Sequence, residues 1–308
     1  MKSVLIILPL VLVVGIGAVF RRIGIIGEET VPRLNAILFW AALPALLFRS
    51  ILRVGAGIFS DPNLFWAVHV SFLIVPGIAW LMAVPFTRDR RRIAVSVLIA
   101  IRSNNVFMGI PAITMALGQA GLDALSLFLA VGLLGYNFIS ITLAQVALSG
   151  TVSIRSLAAT LKNLLKNPLI LACIFGIGGS ALGLSELPRW LDSTLKIVGD
   201  TGSGVALIAL GASLHLAGMG KYLRSAWRDS LFKLFIHPAL VWAVFLVWPV
   251  DPVLRNTVIL LSAMPSAINN FVLAQNMGMD SAYAGEVIAL STAFSIISFP
   301  VWLAILGV

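Results

Sequence analysis

Long runs of apolar residues recur along the whole of this chain, and many could cross roughly 30 Å of hydrocarbon as helices. They lie near residues 4 to 20, 33 to 52, 63 to 86, 93 to 117, 122 to 148, 168 to 184, 190 to 216, 231 to 249, 254 to 276 and 281 to 307. With 60% hydrophobic and 11% charged residues, a soluble domain would expose far more apolar surface than water tolerates. Because the runs are continuous and do not alternate with polar residues, they argue against a β-barrel. The sequence predicts an all-α polytopic membrane protein with ten transmembrane helices.

Basic residues occupy alternate loops between these spans. They are Arg21, Arg22 and Arg33 after span one, Arg88, Arg90, Arg91 and Arg92 after span three, Arg155, Lys162 and Lys166 after span five, and Lys221, Arg224, Arg228 and Lys233 around the loop after span seven. The positive-inside rule then predicts a cytoplasmic (inner) membrane protein with both termini outside. The net charge of +9 therefore indicates topology and contact with anionic lipid, not nucleic acid binding.

The chain divides near its middle into two halves of five spans. Residues 151–167 carry apolar side chains at helical spacing with Arg155, Lys162 and Lys166 on the other face, which is typical of an amphipathic helix in the cytoplasmic interface. Residues 1–150 and 168–308 then form two five-helix repeats. Since five is odd, the second repeat enters the membrane from the opposite side, an inverted plan that is common among secondary transporters.

The fourth span of each half contains a helix-breaking proline and a tandem asparagine. These segments run from Ser103 to Pro111 and from Met264 to Phe271, with the second proline at Pro265. Broken helices at membrane depth are tolerated where the break is buried in protein or lines a wet cavity. A pair of interrupted spans at corresponding positions predicts a binding site.

Four amides are expected at one depth in this site. In span four the asparagines precede the proline and in span nine they follow it, while the chain direction also reverses, so Asn104, Asn105, Asn269 and Asn270 should lie together on the cytoplasmic side of the prolines. Amides donate and accept hydrogen bonds, and helix N-termini favour anions. The site suits a carboxylate better than a bare cation.

Charged residues inside the spans are candidates for binding or coupling, because a charge at membrane depth requires a partner, a wet cavity or a function. One interpretation makes Arg102 the anchor for a substrate carboxylate and Asp200 its counter-ion or a proton carrier. The alternative is a structural ion pair of the two, or an arginine that extends to the interface. Glu286 is either a coupling residue or an interfacial one. Three scattered histidines, His69, His215 and His237, and the lone Cys173 are predicted to be structural.

Motifs spread over nearly the whole chain resemble those of the auxin efflux carrier family, which includes the plant PIN-type exporters and bacterial carriers proposed for malonate or malate. They are Asn104 with Met108-Gly109-Ile110-Pro111, Leu43-Pro44-Ala45-Leu46-Leu47-Phe48, Asn167-Pro168, and Met264-Pro265 with Asn269 and Phe271-Val272-Leu273-Ala274-Gln275. The resemblance implies a scaffold and a transport half-bundle, with spans four and nine crossing at the prolines, and relatives imply a homodimer. It assigns a site role to Asn104 and Asn269 and a crossover role to Pro111 and Pro265.

The predicted function is a secondary transporter that moves a small organic anion by alternating access. A sodium- or proton-coupled antiporter or symporter of the same crossed-helix type is the alternative, and a membrane sensor or channel is a third hypothesis. Nothing resembles a phosphate loop, a histidine metal site or a catalytic nucleophile, so no enzymatic activity, metal or cofactor is predicted. The coupling ion, H⁺ or Na⁺ if there is one, stays open.

Overall fold

In the computed structural model, residues 2–27, 29–54, 61–150, 162, 166–184, 186–213 and 219–308 are described. Every regular element in that part of the chain is a helix, in agreement with the predicted class. The α-helices are α1 (Lys2–Arg22), α2 (Thr30–Ile37), α3 (Leu43–Val54), α4 (Pro62–Ala83), α5 (Arg90–Ile101), α6 (Ile110–Ser149), α7 (Pro168–Ala181), α8 (Arg189–Ser213), α9 (Met219–Leu231), α10 (His237–Val247), α11 (Pro252–Ser262), α12 (Asn269–Asn276) and α13 (Ser281–Leu306).

Among the described residues, six helical stretches are long and apolar enough to cross a membrane. They are Thr30–Arg53, Pro62–Ala83, Asn105–Ser149, Arg189–Ala212, Leu223–Val247 and Ser281–Leu306. Two shorter apolar helices, α7 and α11, add to them. The architecture is that of a polytopic membrane protein.

Within the described ranges, three π-helical turns interrupt the α-helices at related positions. They are Leu38–Ala42 between α2 and α3, Asn105–Gly109 before α6, and Phe232–Ile236 between α9 and α10. In each case the second residue of the following α-helix is a proline: Pro44, Pro111 and Pro238. Proline has no N–H and crowds the carbonyl four residues earlier, and the wider π turn relieves that conflict without ending the helix.

Some predicted boundaries require correction. Span eight was predicted to begin at residue 231, but its helix already begins at Met219, so Arg228 and Lys233 are buried in a helix and do not lie in a loop. The long helix α6 contains a break at Gly118, whose φ of 64° and ψ of −149° separate the predicted spans four and five. Most of the predicted linker 151–167, including Arg155, lies outside the described residues, as does His215.

The helices pack as two groups. The first helix group comprises α1, α2, α3, α7 and α8, and the second comprises α4, α5, α6 and α9 to α13. Within the first group, α1 and α8 approach so closely that a Cβ atom on Gly17 would meet the backbone carbonyl of Ile208, and one on Gly211 would meet that of Val14. Small residues at such contacts are typical of helix packing in membranes.

Candidate functional site

Two helix interruptions lie against each other in the second helix group. α5 ends at Ile101 and α11 ends at Ser262, and the segments that follow pair as a short antiparallel bridge at Ser103 and Ser266. The Asn104 N–H donates to the Pro265 carbonyl at 2.8 Å, and the Ala267 N–H donates to the Arg102 carbonyl at 3.0 Å. Each break therefore satisfies backbone groups of the other at a depth where water is scarce. We call this pairing the crossover.

The two prolines differ in their relation to the crossover. Pro265 lies within it, in the extended segment between α11 and α12, and its carbonyl accepts one of the two bridging hydrogen bonds. Pro111 does not mark the break in span four, which comes earlier, at residues 102–104. It is the second residue of α6, which continues directly from the π turn. The expectation of two equivalent proline breaks is corrected accordingly.

A cavity of about 440 Å³ opens beside the crossover. The first helix group contributes residues of α2 and α7 such as Asn35 and Leu169, and the second contributes residues of α6, the π turn and α12. Polar residues on its wall are Asn35, Arg102, Ser103, Asn104, Asn105, Tyr136, Asn137, Asn167 and Asn269, and most other lining residues are apolar or aromatic. A volume of this size with a few convergent polar groups is typical of small-molecule sites.

Arg102 is the one charged side chain among the described residues that line this cavity. It is 2% exposed. Its Nε donates to Asn270 Oδ1 at 2.7 Å, and Nη1 donates to Asn137 Oδ1 and to Ser140 Oγ, both at 3.0 Å. The guanidinium carbon lies 4.7 Å from the centre of the Tyr136 ring, a cation–π contact.

All of these partners are neutral. No carboxylate in the described part of the chain contacts the Arg102 guanidinium, and Nη2 makes no hydrogen bond to any residue there. The side chain is thus fixed in orientation while its positive charge remains uncompensated. An anion entering the cavity would meet a planar donor that is already positioned.

Two neighbouring asparagines present unpaired polar atoms. Asn104 Nδ2 and Asn105 Oδ1 are buried and have no hydrogen-bond partner among the described residues, although both side chains line the cavity. Asn269, the first residue of α12, lines the same cavity and is exposed. The structure therefore brings three of the four predicted amides, Asn104, Asn105 and Asn269, to one cavity together with Arg102.

Asn270 has a different position from the one predicted. It is fully buried, is not on the cavity wall, and uses its whole amide within the protein: Oδ1 accepts from Arg102, and Nδ2 donates to the Arg102 carbonyl at 3.1 Å and to Ser266 Oγ at 2.9 Å. It holds the crossover and the guanidinium together. Asn137 both supports Arg102 and lines the cavity.

The predicted acidic partners lie elsewhere. Asp200 is exposed and bonds Lys196 at 2.7 Å, one helical turn away, so the proposed ion pair with Arg102 is wrong. Glu286 accepts a hydrogen bond from Ser225 between α13 and α9 and does not line the cavity. No role in the site was predicted from the sequence for Tyr136 or Ser140. Their position within one helical turn of Asn137 is the only sequence feature that could have indicated one.

The profile of a protein family described as "Membrane transport protein" matches residues 2–303 of the chain. The chain belongs to this family. It is the auxin efflux carrier family that the motifs resemble, so that prediction is confirmed. This transporter is therefore a membrane protein whose cavity lies where two broken helices meet.

Relatives match along most of their length. An uncharacterized transporter of Methanothermobacter thermautotrophicus is 26% identical over 307 residues, which cover 99% of this chain and 98% of the relative. A Rhizobium meliloti protein named as a proposed malonate transporter is 23% identical over 276 residues, covering 87% and 84% of the two chains. The uncharacterized transporter YfdV of Escherichia coli K12 is 23% identical over 307 residues, covering 96% and 95%.

Proposed function

We propose that this transporter is a secondary carrier that moves a small organic anion, a mono- or dicarboxylate, across the cytoplasmic membrane by alternating access. The observation that carries the proposal is the buried Arg102 guanidinium, which faces the cavity with neutral partners only. Beside it, Asn104 and Asn105 offer an unpaired donor and an unpaired acceptor. A carboxylate would satisfy the donors, and a substrate hydroxyl or acid proton would satisfy the acceptor.

The architecture that we propose has ten spans in an inverted five-plus-five repeat, with residues 1–150 and 168–308 as its halves and both termini outside. Two contacts support it. Arg92 Nε bonds Asp280 at 2.9 Å, which joins the loops after spans three and nine, and Asn63 Nδ2 donates to the Pro249 carbonyl at 2.9 Å, which joins the loops after spans two and eight. An inverted repeat requires these pairs of loops to share a membrane face.

The position of the cavity supports alternating access. Its walls come from both helix groups, so a relative movement of the groups would alter the exposure of a bound anion without dismantling the crossover. Arg102, Asn104 and Asn269 all belong to the second helix group and would travel together. The first group would then serve as the fixed scaffold.

The lining also bears on the class of substrate. One guanidinium matches one carboxylate, and aromatic residues such as Phe39, Phe107 and Phe128 favour an apolar body. A dicarboxylate is favoured instead by the name of the Rhizobium meliloti relative, which specifies malonate. Both classes belong in the first substrate panel.

The alternatives receive less support. Cation antiporters of the crossed-helix type use carboxylates at the crossing, whereas this crossover has amides, serines and an arginine. A cation would be repelled by Arg102. The sensor or channel hypothesis has no observation in its favour.

Flux into proteoliposomes tests the proposal. Purified protein is reconstituted and assayed with labelled malonate, lactate and benzoate, together with Arg102→Gln, Arg102→Lys and the control Arg33→Gln, whose side chain is 79% exposed. Arg102→Gln should weaken substrate binding by at least about 2 kcal/mol, roughly 30-fold in Kd, because a charged partner is lost from a buried site. Arg102→Lys should restore binding only in part, since it lacks the bidentate fork.

Arg33→Gln should behave as wild type. Wild-type affinity in a stably folded Arg102→Gln protein would refute the anion-anchoring role, and absence of flux for every carboxylate would refute the substrate class.

A further inference from the structure

A second buried cation lies on the other side of the crossover. Lys233, in the π turn Phe232–Ile236, has no exposed surface. Its Nζ donates to Ser103 Oγ at 2.6 Å and to the Ala100 carbonyl at 3.3 Å, and its third contact is His237 Nδ1 at 2.8 Å. Ala100 lies in the last turn of α5, where unpaired carbonyls carry partial negative charge.

The 2.8 Å contact between Lys233 and His237 limits the charge of the pair. An ammonium has donors only, and a doubly protonated imidazole also has donors only, so two protonated partners would face each other without an acceptor. With the lysine as ammonium, His237 must be neutral and accept through Nδ1. The pair therefore holds at most one proton beyond the two neutral groups. His237 also lines one small pocket together with Ser262, the last residue of α11, so the pair lies beside the ends of both broken helices.

Other charged groups on the surrounding helices are engaged elsewhere. Asp229, one turn before Lys233, bonds Arg228, Ser96 and Tyr283. Of the other charged or titratable groups nearby, Arg102 bonds Asn270 and Asn137, and His69 bonds the Phe65 carbonyl. Arg255 bonds Asn256, and Glu286 accepts a hydrogen bond from Ser225. Among the described residues, no carboxylate touches the pair.

The pair communicates directly with the anion cavity. A small pocket behind the crossover is lined by His237, Ser71 and Ser262 together with Ser103 and Asn105, and the last two also line the anion cavity. Ser103 accepts the hydrogen bond from Lys233, and Asn105 carries the unpaired Oδ1. One layer of side chains thus separates the Lys233–His237 pair from the anion cavity. A charge on the pair therefore changes the electrostatic potential in the cavity.

We propose that Lys233 and His237 form a proton-binding site behind the crossover, and that the proton is the ion coupled to anion transport. The coupling rests on the proposed function, whereas the proton site does not. With its proton, the pair presents a positive charge to the carbonyl ends of α5 and α11 and favours an anion across Ser103 and Asn105. Loss of that proton to solvent leaves the pair neutral and weakens anion binding.

The same geometry argues against Na⁺ as the coupling ion. A sodium site at the crossover would use oxygen ligands such as the Ser103 hydroxyl and the Ala100 carbonyl, and the Lys233 ammonium already occupies both. In this proposal the coupling step is protonation of the Lys233–His237 pair, and no Na⁺ ion binds at the crossover.

The first test needs no substrate. Thermal or denaturant unfolding is followed from pH 5 to pH 8 for wild type, His237→Asn and the control His69→Asn, a histidine that is bonded to its own helix and is absent from both pockets. His237→Asn keeps an acceptor for Lys233 but does not titrate. If it fails to fold, His237→Gln takes its place.

The expected sign follows from proton counting. Below about pH 6.5 the unfolded chain carries protons on both Lys233 and His237, whereas the folded pair holds one, so wild-type stability should fall as pH decreases. For each unit that the pH decreases below about 6.5, the unfolding equilibrium constant should rise in wild type and in His69→Asn. This rise should be about tenfold larger than the rise in His237→Asn. An identical pH dependence in His237→Asn and wild type would overturn the proton site.

The second test measures coupling. Titration calorimetry with malonate is run in buffers of different ionisation enthalpy, at an alkaline pH where the anion-free pair has begun to lose its proton. Wild type and His69→Asn should then take up protons on binding, and His237→Asn, in which an amide acceptor keeps Lys233 as an ammonium, should take up none. Replacing choline with Na⁺ at constant ionic strength should leave the Kd unchanged. Proton uptake by His237→Asn, or a Kd that tightens with Na⁺, would overturn the coupling role. Failure of malonate to bind any variant would count against the proposed substrate, while the unfolding test would still decide the proton site.

Discussion

At the scale of single residues, the central feature is two buried cations whose partners are neutral. Arg102 is held by two asparagines and a serine, and Lys233 by a serine, a carbonyl and a histidine. Arg228 provides the contrast, because the neighbouring Asp229 neutralises it within the same helix. A side chain that stays cationic in a low-dielectric interior lowers the stability of the folded protein. Such residues are therefore expected where they bind a ligand or hold a proton.

Substitution of two adjacent asparagines by alanine should affect two different properties, stability for one residue and substrate binding for the other. Asn270→Ala removes three hydrogen bonds around Arg102 and should destabilise the fold by about 1–3 kcal/mol. Asn269→Ala changes the cavity wall only, so it should weaken substrate binding and leave the unfolding midpoint unchanged. Midpoints and Kd values for both variants check this. Equal loss of stability in the two proteins would contradict the assignment.

The sequence pattern predicted the tandem asparagines as one site, and only the family resemblance singled out Asn104 and Asn269 within it. Successive residues on a helix point about 100° apart, and only the position of Arg102 reveals which amide faces inward. The error at Asp200 has a similar cause, since depth along a span does not specify the face. Lys196 lies four residues before Asp200, and this spacing on a helix predicts an ion pair between these two residues.

At the scale of elements, the sequence located the interrupted spans but not the exact break. Proline was taken as the break itself, yet Pro111 follows a π turn inside a continuing helix, and the chain leaves helical geometry at residues 102–104. Proline marks a local conflict with the helix, and the surrounding packing decides whether a π turn or an extended segment resolves it. Pro265 shows the second solution.

Gly118 should be intolerant of any side chain. Its φ of 64° with ψ of −149° is a conformation available essentially to glycine alone, so Gly118→Ala should cost about 1–3 kcal/mol of stability although open space surrounds the position. The control is Gly178→Ala in α7, also in open space but with helical geometry, which should be neutral or stabilising by up to about 1 kcal/mol. Unfolding midpoints test the pair, and equal effects would contradict the role of backbone conformation.

Asp280 predicts a pH-dependent link between α5 and α13. Burial would raise the pKa of Asp280, but the Tyr283 N–H and the Arg92 guanidinium lower it below its usual value. Asn at this position still caps the helix but loses the ion pair, so Asp280→Asn should cost about 0.5–1 kcal/mol at pH 7. A carboxylate whose pKa is lowered by folding stabilises the folded protein at pH values above its unfolded pKa, which is near 3.9. This contribution to stability is lost as the pH falls through the folded pKa.

The difference between wild type and Asp280→Asn should therefore decline as the pH falls below about 3.9. Asp251→Asn is the matched control, since Asp251 caps α11 and has no salt bridge to a described residue. A difference for Asp280→Asn that does not decline as the pH falls would exclude the ion pair as its cause.

At the scale of the whole molecule, two helix groups enclose one cavity, and the basic loops predict its orientation. The positive-inside argument included Arg228 and Lys233, which are buried, so it rests on the remaining cations. Among these, Arg88, Arg90 and Arg91 lie in or beside the turn before α5, next to the Arg92–Asp280 contact. The orientation stays a prediction.

Cysteine labelling measures the orientation, because Cys173 is the chain's one cysteine and is readily replaced. In a Cys173→Ala background, Glu186→Cys and Val308→Cys should react in intact cells with a membrane-impermeant maleimide, whereas Arg88→Cys should react only after lysis. The reverse pattern would contradict a topology with both termini outside.

The crossover has a consequence for biosynthesis. Arg102 enters the bilayer with the first half of the chain, but its partner Asn270 lies 168 residues later. At about 5–20 residues per second, ribosomes need roughly 8–35 s to reach it. During that interval Asn137 and Ser140, only 35 and 38 residues away, are the acceptors that the nascent chain can supply. Until Asn270 is synthesised, the guanidinium of the first half therefore has only the Asn137 and Ser140 acceptors of its final binding site.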